Sequence, residues 1–567
     1  MASLELAAGS LRVTYPDNYR VGPQRRAPGG RAAGPSAWAG SVGPTNEVSA
    51  VLLEAFAAQG MDVVEPFELE PATPHAPTGQ RGQSELGGRQ PNRAGKVRVS
   101  MDLPQGRDAV ILLEQDGLFS WQLPTGHDTG HDTGHDDTGH EDTATARFEI
   151  DVRPAMPARP SARTRPALGP FGDVVVGRLK AYVLTFSSRF VPGAIMAFLE
   201  RDTRPCLVLM TSPDLRSWAH ADTLSQVNLP VGRPARILLF IHGTFQTTVG
   251  SYGVLTSTAP GRKMLKAAAD SYDAVIGFDH KTLSRDPLEN AIDLQSRLDA
   301  RHLDLPPTID IVSYSRGGLV ARSLAEYVLP SSTWHAGIGK IVFVGATNAG
   351  TQLAEPENWR TLVDLYTNLA AGTARSIGFA TGSAPAAEIV GGLVRGIGAF
   401  VRYLVSAATV TEMRIPGLAA MEPGGPFITA INATQPGQPA PGTPWYVVSS
   451  DFEPALFDDR HEPPELPREL VARLADGLVD TLMGTRNDLV VDTASMSSVD
   501  LPSGGGFIKD SLAFGTNGTV YHLNYFIQPQ VCRALVDWLK IRETAAPSMR
   551  PHQHARARPA RDQREGS

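Results

Sequence analysis

The sequence predicts an α/β protein with a mostly parallel sheet and a helical insertion, preceded by a small, mostly β unit. Three observations predict it. Short β-branched runs such as Arg236–Ile241, Ile309–Val312 and Lys340–Gly345 alternate with helical stretches, the pattern of a parallel sheet covered on both faces. Residues 1–153 instead hold strand-like runs broken by turn residues, with one helical stretch among them. Pro154 to Pro170, with five prolines and three arginines, reads as the linker between the two parts.

Length and composition bound the function. A chain of 567 residues is too long for one core, so two or three domains are expected. Hydrophobic content of 42% and charged content of 20% describe a globular protein. A formal charge of −7, from 52 basic and 59 acidic residues, gives no electrostatic case for nucleic acid. Cys206 and Cys532 are too few for a disulfide framework and read as buried packing residues. Met1–Val13 has neither a basic start nor a continuous apolar core, so the expectation is a cytoplasmic protein without a secretory signal.

In the first unit, Asn46–Gly60 has helical periodicity, and Met61–Val64, Val97–Trp121 and Phe148–Val152 supply strand-like runs. A tandem repeat, GHDT-GHDT-GHDDT-GHEDT, occupies Gly126–Thr143 with four histidines and six acids. Such a density of imidazole and carboxylate can take up divalent metal. With nothing apolar to bury, however, the repeat reads as a disordered, exposed loop, and no metal is assigned.

The α/β unit is expected over residues 171–544. Asp173–Phe186 and Leu207–Met210 read as its first strands. Helices are expected near Arg262–Ala269 and from Glu289 to about Leu303, with a strand at Tyr272–Gly277 between them. About a hundred residues separate Lys340–Gly345 from the next strand, Trp445–Ser449, so residues 352–440 must carry structure of their own.

The chemistry centres on Ser313-Tyr314-Ser315-Arg316-Gly317, which joins a strand to a helix. A serine on so abrupt a turn has the setting of a nucleophile elbow. The flanking positions must be small; Gly317 satisfies this, and Ser313 stands where glycine is usual. A nucleophilic serine needs a base, an acid to orient the base, and donors for the oxyanion. His522, read at a strand end before the closing helix Pro529–Leu539, is the candidate base. Two acids compete. Asp488 precedes Leu489-Val490-Val491, which can anchor its loop, and is favoured; Asp451, just past the strand Trp445–Ser449, is the alternative, with Asp492 third. The oxyanion donors are expected at Arg316 and at Thr244 or Phe245. Gly243 permits the turn, and His242 supports the loop.

The set IHGTF, SYSRGG, GATNAGTQLA, GLAAMEPGGPFITAIN, RNDLVVDTAS and the late His522 resembles the lipase-like branch of the α/β-hydrolases, over residues 235–540. That resemblance implies an α/β-hydrolase fold and serine hydrolysis of esters through an acyl-enzyme, with no cofactor. Within the insertion, Ile389, Val390, Leu393, Val394, Ile397, Phe400, Val401, Leu404 and Val405 form a helical stripe. It reads as a cap or lid over an apolar acyl pocket, packed on the core, or as a patch touching a membrane surface. Gly391, Gly392, Gly396 and Gly398 would let a backbone or an acyl chain approach closely. The tail 545–567 is basic and expected to be disordered. An apolar acyl ester is the expected partner. An acyltransferase, an amide hydrolase using the same residues, and a non-catalytic interaction protein are the alternatives.

Overall fold

The structure is a computed structural model that describes residues 1–23, 44–72, 95–129, 143–153, 175–176, 178–187, 199–200, 203–299, 303, 305–332, 336–381, 383–407, 414–433, 443–454, 485–499 and 508–541. The expected linker 154–170, most of the repeat and the basic tail lie outside these residues.

Alternation decides the N-terminal architecture. In Gly95–Pro104, Val97, Val99, Met101 and Leu103 point inward, and most residues between them are exposed. This strand belongs to a sheet ordered Ala2–Leu6, Leu11–Tyr15, Gly95–Pro104, Thr143–Arg153 and Val175–Val176. A second sheet is ordered Tyr19–Pro23, Phe67–Pro71, Leu179–Ser187, Arg107–Gln115 and Leu118–Gln122. Val13, Val99, Ile111, Phe148 and Val183 from both sheets share one apolar core.

Two expectations change here. Leu179–Ser187, read as part of the α/β unit, pairs antiparallel with Arg107–Gln115, Lys180 opposite Glu114 and Ser187 opposite Arg107. The N-terminal unit therefore runs past the expected linker and is completed only by this strand. Its buried Glu114 accepts hydrogen bonds from the Tyr182 hydroxyl at 2.7 Å and from the Ser49 hydroxyl at 2.9 Å. The first repeat, Gly126–Thr129, is not loop: it pairs antiparallel with Ala144–Arg147. Backbone pairing with an existing edge needs no apolar side chains, which is what the composition argument overlooked.

Arg107–Gln115 departs from alternation and is buried on both faces. Ala109, Ile111 and Leu113 face the inner core, while Val110 and Leu112 face a cluster shared with two long helices, Trp359–Thr381 and Ser383–Ala407. These helices form the insertion. Leu319, Leu353 and Leu489–Val491 join the same cluster, so one apolar core connects the N-terminal unit, the insertion and the loops around Ser315.

The third sheet has eight strands, in the order Ala219–Ala221, Cys206–Leu209, Ala274–Asp279, Arg236–Ile241, Thr308–Tyr314, Gly337–Val344, Trp445–Phe452 and Ile508–Asn517. The first two strands join antiparallel and the remaining six are parallel. Leu238, Phe240, Val312 and Val344 face the helices Ala259–Ser271 and Pro529–Leu539; Ile237, Leu239, Ile309 and Ile311 pack on the other side with Ala291 and Leu294 of Pro287–Arg297. The edge strand Ile508–Asn517 is not foreseen, because Lys509, Asp510, Ser511 and Thr516 give it the look of a loop.

Of the four insertion glycines, Gly392 and Gly396 admit a close neighbour, whereas Gly391 faces open space. A Cβ on Gly396 would lie 2.6 Å from the Phe245 Cα, and one on Gly392 would lie 2.8 Å from the Thr247 hydroxyl oxygen. The helix thus rests directly on the loop after Ile241. Among the described residues one stretch, Ile389–Ser406, is long and apolar enough to cross a membrane, and 61% of it is buried in the protein. Its apolar stripe faces inward rather than toward a surface.

The pairing of Thr129 with Ala144 gives a test of the repeat. Joining these two residues through Asn-Gly, a two-residue hairpin turn, should move the thermal midpoint by less than about 1 °C. This corresponds to less than about 1 kcal/mol in a chain this size. A larger loss by calorimetry would mean that residues 130–143 support the sheet.

Candidate active site

Ser315 has a backbone φ of +54°, a conformation that side chains other than glycine seldom adopt. It stands between the strand Thr308–Tyr314 and the helix Gly317–Arg322, which continues as a π turn over Ser323–Val328. Close backbone contact forces this geometry. A Cβ on Gly317 would lie 2.3 Å from the Ile241 carbonyl oxygen, and one on Gly243 would lie 2.6 Å from the Ser315 Cβ. Ser313 is tolerated where glycine is usual because its buried hydroxyl donates to the Val342 carbonyl at 3.1 Å.

The structure brings Ser315, His522 and Asp488 together. His522 Nε2 lies 3.0 Å from Ser315 Oγ, and His522 Nδ1 lies 2.8 Å from Asp488 Oδ2. Asp488 Oδ1 accepts the amides of Val490 at 3.1 Å and Val491 at 2.9 Å, so the apolar residues after it do anchor the loop. The Tyr525 hydroxyl donates to Asp488 Oδ2 at 2.9 Å, and the Tyr314 hydroxyl to the His522 carbonyl at 2.7 Å. His522 opens a 3₁₀ turn, His522–Ile527, rather than ending a strand, and its amide donates to the Asp488 carbonyl at 2.9 Å. Asp488 and His522 are fully buried, and Ser315 is 2% exposed.

Neither other carboxylate reaches His522. Asp451 lies within the strand Trp445–Phe452 and accepts the Thr516 hydroxyl at 2.6 Å, while Asp492 accepts the Thr485 hydroxyl. The sequence places Asp451 just past this strand, but the strand extends to Phe452 and keeps Asp451 in a side-chain pair with the neighbouring edge strand.

On the oxyanion side the structure changes one expectation. The Phe245 amide donates to Thr282 Oγ1 at 3.2 Å, so that donor is engaged and Phe245 is corrected to a supporting residue. Thr282 is held by Glu200, which accepts the Thr282 amide at 2.6 Å and the amides of Leu283 and Ser284 at 3.1 and 2.9 Å. Arg316 follows Ser315 in the chain, and Thr244 follows Gly243, which packs on the Ser315 Cβ. The Arg316 side chain is fully buried, donates to the carbonyls of Arg285 at 2.6 Å and Gly417 at 3.3 Å, and is pushed by burial down to about 10. Sequence reasoning missed Glu200, Thr282, Tyr314, Tyr366 and Tyr525. Nothing in their local sequence marks them, since each acts through a distant residue.

His242 serves the loop, not the proton chain. Its Nε2 accepts the His280 amide at 3.2 Å, which leaves Nδ1 as the protonated nitrogen, 3.0 Å from the Gly243 carbonyl. The two rings stack 4.0 Å apart.

Residues 205–540 match a family described as a domain of unknown function, DUF7379, which is more than half of the chain. The chain belongs to the DUF7379 family. Residues 8–186 match a second domain of unknown function, DUF7362, whose end agrees with the end of the strand Leu179–Ser187. No curated protein matches the DUF7379 chain. Its neighbours among solved structures include lipases and other α/β-hydrolases. The lipase BlEst2 of Bacillus licheniformis, in propeptide form, is 14% identical with a TM-score of 0.31, over 57% of this chain and 54% of that one. Lipase 1 of Pelosinus fermentans is 12% identical with a TM-score of 0.35, over 54% of this chain and 99% of that one. Phospholipase PlaB of Legionella pneumophila is 12% identical with a TM-score of 0.28, over 47% and 45%. This chain therefore spans about half the length of the first and third of these proteins, and at such TM-scores the likenesses are loose.

The buried imidazoles of this DUF7379 protein predict its acid response. Burial lowers the pKa of His242 and takes that of His280 well below the usual imidazole value, because a charged ring there would lose its water. Unfolded, both titrate at about 6.5. Below that pH the unfolded chain binds protons that the folded chain refuses, so stability is full above it and falls as pH drops further. Stability, followed through the thermal midpoint, should be flat between about pH 7 and 8 and then fall, on the order of 1 kcal/mol of unfolding free energy per pH unit per histidine. His280→Phe should reduce the slope. A midpoint unchanged down to about pH 5 would show that both rings take up protons while folded.

Proposed function

We propose that the protein is a serine hydrolase of the α/β-hydrolase class that cleaves an apolar acyl ester through an acyl-enzyme on Ser315. The observation that carries this reading is the hydrogen-bonded line Ser315–His522–Asp488, with spacings of 3.0 and 2.8 Å. In this reading His522 Nε2 takes the Ser315 proton as Oγ attacks the ester carbonyl carbon. Asp488, fixed by two amides and the Tyr525 hydroxyl, keeps the proton on Nδ1 and stabilises the imidazolium. The amides of Arg316 and Thr244 are the donors proposed for the oxyanion. Collapse of the tetrahedral adduct breaks the carbon–oxygen bond to the alcohol, which leaves with the proton held by His522. Water, activated by the same imidazole, then releases the acid.

The preference for an apolar acyl group rests on the surroundings. The helices Trp359–Thr381 and Ser383–Ala407 act as the cap, and they bring Phe400, Val390 and Leu393 into the cluster that contains Phe245 and Leu489.

Three variants test the assignment with p-nitrophenyl butyrate. Ser315→Ala should lower kcat by about 10⁴ to 10⁶ and abolish labelling by a fluorophosphonate. Asp488→Asn should cost on the order of 10⁴, since the amide loses the charge and favours the wrong imidazole tautomer. Asp451→Asn should stay within about threefold, as a change at a partly exposed pair away from the site. If Ser315→Ala retains activity within tenfold of the wild type, the reaction does not run through Ser315.

A further inference from the structure

Tyr366 stands on the helix Trp359–Thr381, is buried, and turns its hydroxyl toward the Ser315 side chain. Its ring meets Phe245 edge-on, with centroids 5.1 Å apart. It therefore lies against both the candidate nucleophile and the loop that carries the proposed oxyanion donors. The Phe245 amide is occupied by Thr282, so that loop offers one donor fewer than its sequence suggests.

The same helix is gripped from behind. Leu118–Gln122 is the edge strand of its sheet, with outward backbone groups that need partners. Asn368 supplies them for Phe119: its Oδ1 accepts the Phe119 amide at 2.8 Å and its Nδ2 donates to the Phe119 carbonyl at 2.7 Å. One turn earlier, Asp364 Oδ1 accepts the Trp121 amide at 2.8 Å, and the Trp121 indole donates to Thr367 Oγ1 at 2.9 Å. All of these groups are buried. At 3.6 residues per turn, Asp364, Thr367 and Asn368 share one face of the helix, and Tyr366 points from nearly the opposite face.

We propose that Tyr366 is a further catalytic residue, donating its hydroxyl hydrogen bond to the oxygen that gains charge at the reacting carbonyl, and that the N-terminal edge strand holds it in place. The inference rests on Ser315 being the nucleophile. When Ser315 Oγ has bonded to the carbonyl carbon, the oxyanion is one atom further on, toward a hydroxyl that already faces Oγ. Burial raises the Tyr366 pKa, so the phenol stays protonated and remains a donor. The N-terminal unit thereby becomes part of the catalytic apparatus, through a helix it braces from the far side.

The full-length chain tests this with p-nitrophenyl butyrate and a fluorophosphonate. Tyr366→Phe should lower kcat about 10- to 100-fold, with KM within about threefold and labelling of Ser315 slowed in parallel. Asn368→Asp, which sets a carboxylate against the Phe119 carbonyl, should lower kcat about 3- to 10-fold, and add no further loss to Tyr366→Phe. Thr367→Val, nearly isosteric, should act in the same direction and serves if Asn368→Asp does not fold. Turnover of Tyr366→Phe equal to or faster than wild type would show that the hydroxyl only covers Ser315 and would overturn the proposal. Losses that add fully in the double variant would detach the edge strand from Tyr366. A wild-type protein that neither labels nor turns over substrate would instead remove the hydrolase reading, and this inference with it.

Discussion

Three backbones converge on Ser315, and that convergence sets much of what surrounds it. The Ser315 amide donates to the Val344 carbonyl at 3.0 Å, its carbonyl accepts the Gly318 amide at 3.0 Å, and the loop after Ile241 passes over its Cβ. A residue at φ +54° costs roughly 1–3 kcal/mol, and packing must supply that. Gly243 and Gly317 are bare because backbone or Ser315 already fills the space their side chains would take. Once the turn is fixed, Arg316 is driven inward with its charge, and the chain must provide carbonyls to receive it. Those come from Arg285 and Gly417, which ties the insertion to the turn.

Buried charge recurs around the site with one solution. Glu200 accepts three backbone amides and two hydroxyls; Arg322 pairs with Glu326 at 2.7 Å and reaches the Ile431 carbonyl at 2.7 Å. An ionised group stripped of water is tolerated only when hydrogen bonds replace its hydration. Each such group therefore fixes a loop, and the loops so fixed are those that bear Thr282, Gly417 and Asn432. The electrostatics of the interior thus serves the geometry of the site more than net stability.

Much of this was legible in the sequence where the signal is local. Runs such as Arg236–Ile241 and Thr308–Tyr314 announce buried parallel strands, because nothing else is apolar and β-branched for so few residues. Ser315, Asp488 and His522 could be picked out because a turn, a short apolar anchor and a place before the last helix each leave a local trace. The outer strand Ile508–Asn517 left none, since an edge strand with one wet face looks like a polar loop. Leu179–Ser187 was recognised as a strand but given to the wrong sheet: its own residues do not say that Arg107–Gln115 is its neighbour. Tyr366, Asp364 and Asn368 were invisible for the same reason. Their partners lie about 250 residues away in some cases, and only the fold makes them adjacent.

The strand Arg107–Gln115, buried on both faces, also has a history during synthesis. Trp121 leaves the ribosome 243 residues before the Asp364 that will receive its amide. At roughly 5–20 residues per second, the outer face of the sandwich, with Val110, Leu112 and Trp121, waits about 10 to 50 seconds for the helices that cover it. Throughout that interval the nascent chain carries an apolar surface next to an unpartnered strand edge, the combination that invites pairing with another chain. The nascent chain thus exposes an aggregation-prone surface through the middle of translation, and a chaperone that shields such surfaces would have its window there.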